Sequence, residues 1–401
     1  MKKILVWMFL ALMTAAAVGQ TGFVHADGKN LVDGHGKTVL LRGTNLGNWL
    51  VQEGYMFKLE GGPQSAREIE ALANDLLGPA EAEVFWHKYR RAYVTKADID
   101  FIAKQGFNTI RIPFHYKYFV AGNDEGLELV DKVVEWAKAD GLYVILDMHC
   151  APGGQTGANI DDSWGYPWLY ESEASQVEAV AVWKRIAAHY KGNPTVLGYD
   201  LINEPIPHYP QLQKYNPMLE PLLKKLVAAV RAVDTNHVVI MEGAQWDSNF
   251  KVFGAPFDKN MMYQFHKYWT SPTKDVIQEY LDYREKYNVP IWMGESGENT
   301  DEWITKFRTM LDENGVNWTF WPYKKMDATS SPVTFDKPVH WDAIVAYAAK
   351  HFGMGDTEKS VAVRPSVEDS RAAFADLLEK VRFEHVHVNQ GYLNALGVAA
   401  K

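Results

Sequence analysis

VLGYDLINEP (196–205) opens with a short apolar run and closes on Asn203-Glu204-Pro205, so it reads as a buried strand that delivers a carboxylate just past its end. VPIWMGES (289–296) repeats the pattern and delivers Glu295. Working outward from these two, six further runs have the same length and character: VLLRGTN (39–45), NTIRIPF (108–114), YVILDMH (143–149), HVVIMEG (237–243), MMYQFHKY (261–268) and NWTFWPY (317–323). Between them lie amphipathic segments: 96–106, 127–141, 176–192, 217–234, 273–288 and 301–315, with another at 341–353. Several end in Gly or Asn, the usual helix stops. Strict alternation of strand and helix calls for parallel βα units. Eight strands close such units into a (β/α)8 TIM barrel.

Three segments fall outside that repeat. Residues 23–38 alternate polar and apolar around Asp-Gly and His-Gly turns, which predicts a small N-terminal hairpin able to plug the bottom of the barrel. Residues 64–95 predict a helical insertion after the first strand, and 364–397 a C-terminal helical extension with a tail. None has linker composition, so residues 20–401 are read as one catalytic domain. Residues 1–19 begin with Lys2 and Lys3, continue apolar from Ile4 to Val18 and exit through small residues, the pattern of a cleaved signal peptide. The apolar run is shorter than the ~20 residues a spanning helix needs. The expectation is a secreted or periplasmic protein that acts as a monomer, with no membrane contact once the signal is removed.

The formal charge of −9 argues against a nucleic-acid or anionic-membrane partner, which would want a basic face. Cys150 is the single cysteine, so stability cannot rest on an internal disulfide. Its neighbour His149 would face the opposite side of a strand, which makes the thiol buried filler rather than a nucleophile. The histidines lack the H-E-x-x-H spacing of a catalytic metal site, and no Gly-rich phosphate loop is present; no metal or cofactor is expected. Aromatic content is high, with 14 Trp, 20 Tyr and 18 Phe. Most of these rings belong in a core, yet exposed rings also stack on the apolar face of a pyranose.

Two glutamates at the ends of barrel strands are suited to glycoside hydrolysis. The retaining form of that reaction needs one carboxylic acid to protonate the leaving oxygen and one carboxylate, about 5 to 5.5 Å away, to attack the anomeric carbon. Taken singly, either glutamate would serve as well in a loop ion pair. Together with the eight-strand frame they carry a resemblance. From about Phe23 to Gly353 the chain resembles glycoside hydrolase family 5, the cellulase family of retaining β-glycosidases. Members carry an Arg after the second strand, a His after the third, Asn-Glu after the fourth, His and Tyr after the sixth, Glu after the seventh and Trp after the eighth. The matching positions here are Arg111, His149, Asn203, Glu204, His266, Tyr268, Glu295 and Trp321.

The resemblance implies that Glu204 is the acid/base and Glu295 the nucleophile. Arg111 and Tyr268 could then donate to Glu295, Asn203 could hold the sugar 2-hydroxyl, His149 and His266 would line the sugar site, and Trp321 would form its floor. A neighbouring anion should make Glu204 titrate high. LRGTNLGNWLVQEG (41–54) is similar to the opening of the family's exo-acting β-1,3-glucanases, which places Glu53 on the terminal glucose with Asn48 and Trp49 nearby. Asn48 and Thr44 depart from that pattern. The long third loop, 150–172, offers Trp164, Tyr166 and Trp168 as subsite walls, and Trp246 and Trp269 are similar candidates. Glu242 is read as structural. The expected partner is a β-linked glucan or oligosaccharide. An endo-β-1,4-glucanase or mannanase is the alternative within the class, and a non-catalytic carbohydrate-binding protein the alternative outside it.

Overall fold

The computed structural model describes residues 22–350 and 357–398. The expected signal peptide at 1–19 lies outside the described residues. Eight parallel strands close into a barrel in chain order: β1 (Arg42–Asn45), β2 (Thr109–His115), β3 (Tyr143–Cys150), β4 (Val196–Asp200), β5 (Val238–Glu242), β6 (Met261–His266), β7 (Ile291–Glu295) and β8 (Asn317–Phe320). Closure is made where β8 pairs with β1, Trp318 opposite Arg42 and Phe320 opposite Thr44. The helices that follow the strands fall where the apolar periodicity put them, at Glu125–Asp140, Glu173–Tyr190, Asn216–Arg231, Gln278–Tyr287 and Asp301–Glu313. Among the described residues, no helix is long and apolar enough to cross a membrane.

Side chains alternate along a strand, so residues two apart share the barrel interior. That rule sorts the interior into layers. Ile145, Ile240, Met262 and Trp292 belong to an apolar cluster at the bottom, sealed by Val24 and Leu31 of the N-terminal segment. Two residues further along β3, β5 and β6 come Asp147, Glu242 and Gln264, all fully buried. The next step on β3 and β6 reaches His149 and His266 at the mouth. The outer faces of the same strands pack against the helices in a second, larger cluster.

Two of the added segments are more elaborate than expected. The N-terminal hairpin is a three-stranded antiparallel sheet of His25–Asp27, Asn30–Val32 and Thr38–Val39; the third strand is only two residues long, too short to give a periodic signal. The C-terminal extension is more than a helix and a tail. It comprises helices Thr357–Val363, Val367–Lys380 and Gln390–Ala395, and its strand His387–Val388 pairs with Val333–Phe335, which also pairs with Lys324–Met326. Buried Lys324 fastens this part to the barrel: its Nζ donates to the carbonyls of Tyr93 and Val381 and pairs with Asp98 at 2.7 Å.

Candidate active site

Arg111 is the hub of the mouth. Its side chain projects inward from β2, is fully buried, and every direction of its guanidinium fork is used. Nε donates to Asp200 at 2.8 Å, Nη1 to Asn45 at 3.2 Å and to Glu295, and Nη2 to Asn203 at 2.9 Å and Glu242 at 3.1 Å. Asp147 lies 3.1 Å from Nη2. One cation therefore faces four carboxylates, and burial pushes Asp147 up to about 7 and Asp200 up to about 6. Gln264 bridges Asp200 and Glu242 from β6.

Glu295 reaches this hub through an irregularity in β7. Met293 pairs with Phe265, but His266 pairs with Glu295 rather than with Gly294, so one residue is skipped. Such a bulge re-aims the side chain that follows it. Only glycine fits at the skipped position, because a Cβ on Gly294 would lie 1.6 Å from Gln264 Oε1. The Gly294 carbonyl is held by Thr319 Oγ1 at 2.5 Å and Asn45 Nδ2 at 3.2 Å. Glu295 then receives Arg111 on one oxygen and the Tyr268 hydroxyl, at 3.1 Å, on the other.

Glu204 is positioned by backbone strain. Its φ is +44° and that of Ile206 is +57°, both in the left-handed region. Glu242 Oε2 holds the Glu204 N–H at 2.6 Å, and the Ile206 carbonyl accepts from Trp246 N–H at 3.2 Å. This conformation turns the Glu204 carboxyl toward His266, whose Nδ1 is 2.8 Å from Oε1. Burial pushes Glu204 up to about 7, while the nearby His149 and Arg111 oppose the shift. The direction matches expectation, but the main cause is burial rather than a neighbouring anion. Burial also takes His149 down to about 4 and His266 down to about 3, so both imidazoles are neutral at working pH. Oxygens of Glu204 and Glu295 lie within 4.8 Å of each other.

The family model for cellulase, glycosyl hydrolase family 5, matches residues 73–327. This chain belongs to glycosyl hydrolase family 5. Among its curated relatives, a β-xylosidase of Phanerodontia chrysosporium is 30% identical over 255 residues, covering 61% of this chain and 52% of that protein. A probable glucan 1,3-beta-glucosidase A of Aspergillus clavatus is 33% identical over 174 residues, 41% of each chain. This family 5 chain thus spans about half the length of these two relatives. The crystal structure of an endogalactoceramidase superimposes with a TM-score of 0.62 at 18% identity, covering 94% of this chain and 84% of that one, a likeness of fold.

Around the two glutamates, this family 5 barrel gathers the other expected residues. His149 Nδ1 is 2.8 Å from Asp147 Oδ2, and its ring is parallel to that of Trp321, 5.5 Å away. Trp321 Nε1 donates to the Tyr55 hydroxyl at 2.7 Å. Asn203 Oδ1 is taken by Arg111, which leaves its Nδ2 as the donor, 3.5 Å from His149 Nε2. Gln155 ties the third loop to the mouth by donating to the carbonyls of His149 and Asn203, each at 2.8 Å.

Glu53 is buried, and the electrostatic field of Glu295 and Glu204 adds to burial in raising its carboxyl well above the usual range. Its Oε1 has no hydrogen-bond partner among the described residues. Asn48 is fully buried beneath it at φ +64°, and its Oδ1 accepts the Glu53 N–H at 3.0 Å; it shapes the turn. Trp49 is core, with Nε1 donating to the Arg90 carbonyl. Trp164 stands 73% exposed with the Arg67 guanidinium 3.5 Å over its ring, and Trp269 is 77% exposed beside Tyr268. Cys150 is buried.

Sequence reasoning passed over Asp147, Asp200, Gln264 and Asp247. The first and third could have been found from the period of two, since they precede His149 and His266 by that step. Carboxylate and imidazole atoms here are close enough to suit a cation, as in Asp147, Asp200 and Glu242. The Arg111 guanidinium already meets that triad.

Proposed function

We propose that this chain is an exported, monomeric, retaining β-glycosidase that removes glucose from the non-reducing end of β-1,3-glucan or from β-glucosides. Glu204 is the acid/base and Glu295 the nucleophile. The observation that carries the reading is the pair of carboxyls facing each other across the mouth with oxygens within 4.8 Å, close enough for one to attack the anomeric carbon while the other protonates the leaving oxygen.

In the first step a Glu295 oxygen bonds to the anomeric carbon, the glycosidic C–O bond breaks, and the Glu204 proton passes to the leaving oxygen. In the second, water attacks the same carbon, Glu204 takes its proton, and the bond to Glu295 breaks. Arg111 and Tyr268 each donate to one oxygen of Glu295 and so fix the direction in which its carboxylate faces the sugar. Asn203 Nδ2 is the donor for the 2-hydroxyl, and Trp321, braced by His149 and Tyr55, is the platform under the sugar. Glu53 supports the exo reading. A buried carboxyl with a free oxygen beside the catalytic pair is suited to gripping hydroxyls of a terminal glucose, and an extended chain would have to pass through it. The likeness to a protein named as a glucan 1,3-beta-glucosidase points the same way.

The test is incubation of the mature protein with laminarin, cellulose, mannan and aryl β-glucosides, resolving products over time with Glu295→Ala as control. Early glucose from laminarin, lost in the variant and restored as glycosyl azide when azide is added, is the expected result. Mixed oligomers from a β-1,4 polymer would move the protein to the endo reading. No turnover of any substrate would overturn the proposal in favour of a binding role.

A further inference from the structure

Just past β5 the backbone does something expensive. Gln245, Trp246 and Asp247 have φ of +56°, +53° and +54°, three successive non-glycine residues in the left-handed region. Each costs roughly 1 to 2 kcal/mol over the ordinary helical conformation. The consequence is the placement of Asp247. It is fully buried, its Oδ1 accepts the Gly243 N–H at 2.5 Å, and its Oδ2 has no hydrogen-bond partner among the described residues. Facing that oxygen at 3.8 Å is His266 Nε2, also buried and also without a partner. Glu242 Oε2 lies 4.0 Å from the same nitrogen but is engaged by the Glu204 N–H. Two polar atoms that face each other in the interior satisfy one another after a side-chain shift of under about 1 Å or through one bridging water.

We infer that Asp247 is a positioning residue for the acid/base: it donates a proton-bearing Oδ2 to His266 Nε2 and so fixes the imidazole with its hydrogen on Nδ1. His266 then donates to Glu204 Oε1, which must act as the acceptor. The proton of the Glu204 carboxyl is thereby confined to Oε2, the oxygen free to face the leaving group. Without Asp247 the imidazole can carry its hydrogen on Nε2 and accept at Nδ1, which traps the catalytic proton on the wrong oxygen. No proton is gained or lost by the relay; it selects which oxygen bears it.

The charge environment agrees. Burial, then Asp200 and Glu204, raise Asp247 well above the carboxylate range against the hydrogen bond from Gly243 and the pull of Arg111. His266 is kept neutral by burial and by Arg111 and His149, with Glu295 opposing. Lys267, on the neighbouring loop, also feels Asp247. The inference rests on Glu204 being the acid.

The experiment compares Asp247→Ala and Asp247→Asn using kcat/KM, which reports the glycosylation step, on an alkyl β-glucoside and on 2,4-dinitrophenyl β-glucoside. The second leaving group departs without an acid. The expected result is a loss of about tenfold or more for D247A on the alkyl substrate with little change on the dinitrophenyl one. Its alkaline limb should move to higher pH, because Glu204 loses a donor to its charged form. D247N keeps an N–H for Nε2 and should stay within about threefold of wild type on both substrates. Equal losses of D247A on both substrates would mean a merely structural role. A D247N loss as deep as that of D247A would mean that Asp247 acts as an anion, and either result overturns the inference. If D247A does not fold, D247N alone decides: retention within about threefold on both substrates is the expected result, and a tenfold loss on the alkyl substrate overturns the inference. If wild type hydrolyses neither glucoside, the glycosidase reading itself fails, and this inference with it.

Discussion

Replacing Arg111 with lysine keeps the charge and removes the fork. The guanidinium donates five hydrogen bonds, to Asp200, Asn45, Glu295, Asn203 and Glu242. An ammonium has three donors, so at least two partners are abandoned in a site with no solvent to replace them. At about 1.5 to 3 kcal/mol for a buried hydrogen bond to a charged group, the loss is about 3 to 6 kcal/mol. An unfolding entropy of about 2.1 cal/mol/K per residue, taken over the chain, corresponds to about 0.8 kcal/mol per degree. R111K should therefore melt about 4 to 7 °C below wild type at pH 8. At pH 5 the deficit should shrink, because Asp147 and Asp200, raised to about 7 and about 6, hold protons there and need the cation less. Turnover should fall by about 100-fold or more, since Asn203 and Glu295 are both aimed by the lost donors. Differential scanning calorimetry at the two pH values, with kcat/KM on an aryl β-glucoside, measures both effects. A melting temperature within a degree of wild type at pH 8 together with unchanged kcat/KM would refute the view that this fork organises the mouth.

Further outcomes are expected from the same structure. Glu53→Ala should lower kcat/KM for glucose release from laminarin by about 10- to 100-fold, the worth of one or two hydroxyl contacts to a carboxyl; an unaltered rate and product pattern would remove Glu53 from the sugar site. The alkaline limb of kcat/KM should fall near pH 7, because Glu204, at about 7, must hold its proton to act as the acid. Stability should decline above about pH 6.5: Asp147, Asp200 and Glu204 are all raised in the fold, so their contribution is complete below the unfolded values near 4 and is lost as pH rises through about 6 to 7, whereas His149 and His266, lowered to about 4 and about 3, act in the opposite sense only below their unfolded value near 6.5. A melting temperature that instead climbs from pH 6.5 to pH 8 would contradict that sign. Gly294→Ala should cost activity more than tenfold and lower the melting temperature, since its Cβ must displace Gln264; a wild-type profile would show that the bulge does not need glycine.

Hydrophobic periodicity is a local property, so the architecture is legible in the amino-acid sequence. A strand buried on both faces reads as an apolar run, and a helix packed on the barrel reads at its own period, so all eight strands and the helices between them were legible. The sequence also placed seven of the eight expected residues at or just past strand ends, while Arg111 lies inside β2 and reaches the mouth through its long side chain. What it could not determine is where atoms point once the chain leaves regular geometry. Strict alternation along β7 puts Trp292 and Gly294 inward and would turn Glu295 out; the skipped residue at Gly294, forced by Gln264 from β6, turns it in. The left-handed backbone at Glu204 and at Gln245–Asp247 is likewise unmarked by glycine; Glu242 Oε2 holds the Glu204 N–H, and Asp247 Oδ1 holds the Gly243 N–H. Nor does a string of residues reveal that four carboxylates share one guanidinium, since Asp147, Asp200, Glu242 and Glu295 come from four strands. Period and composition are fixed by neighbours in the chain; protonation, strain and aim are fixed by neighbours in space, and those are set only when the barrel closes.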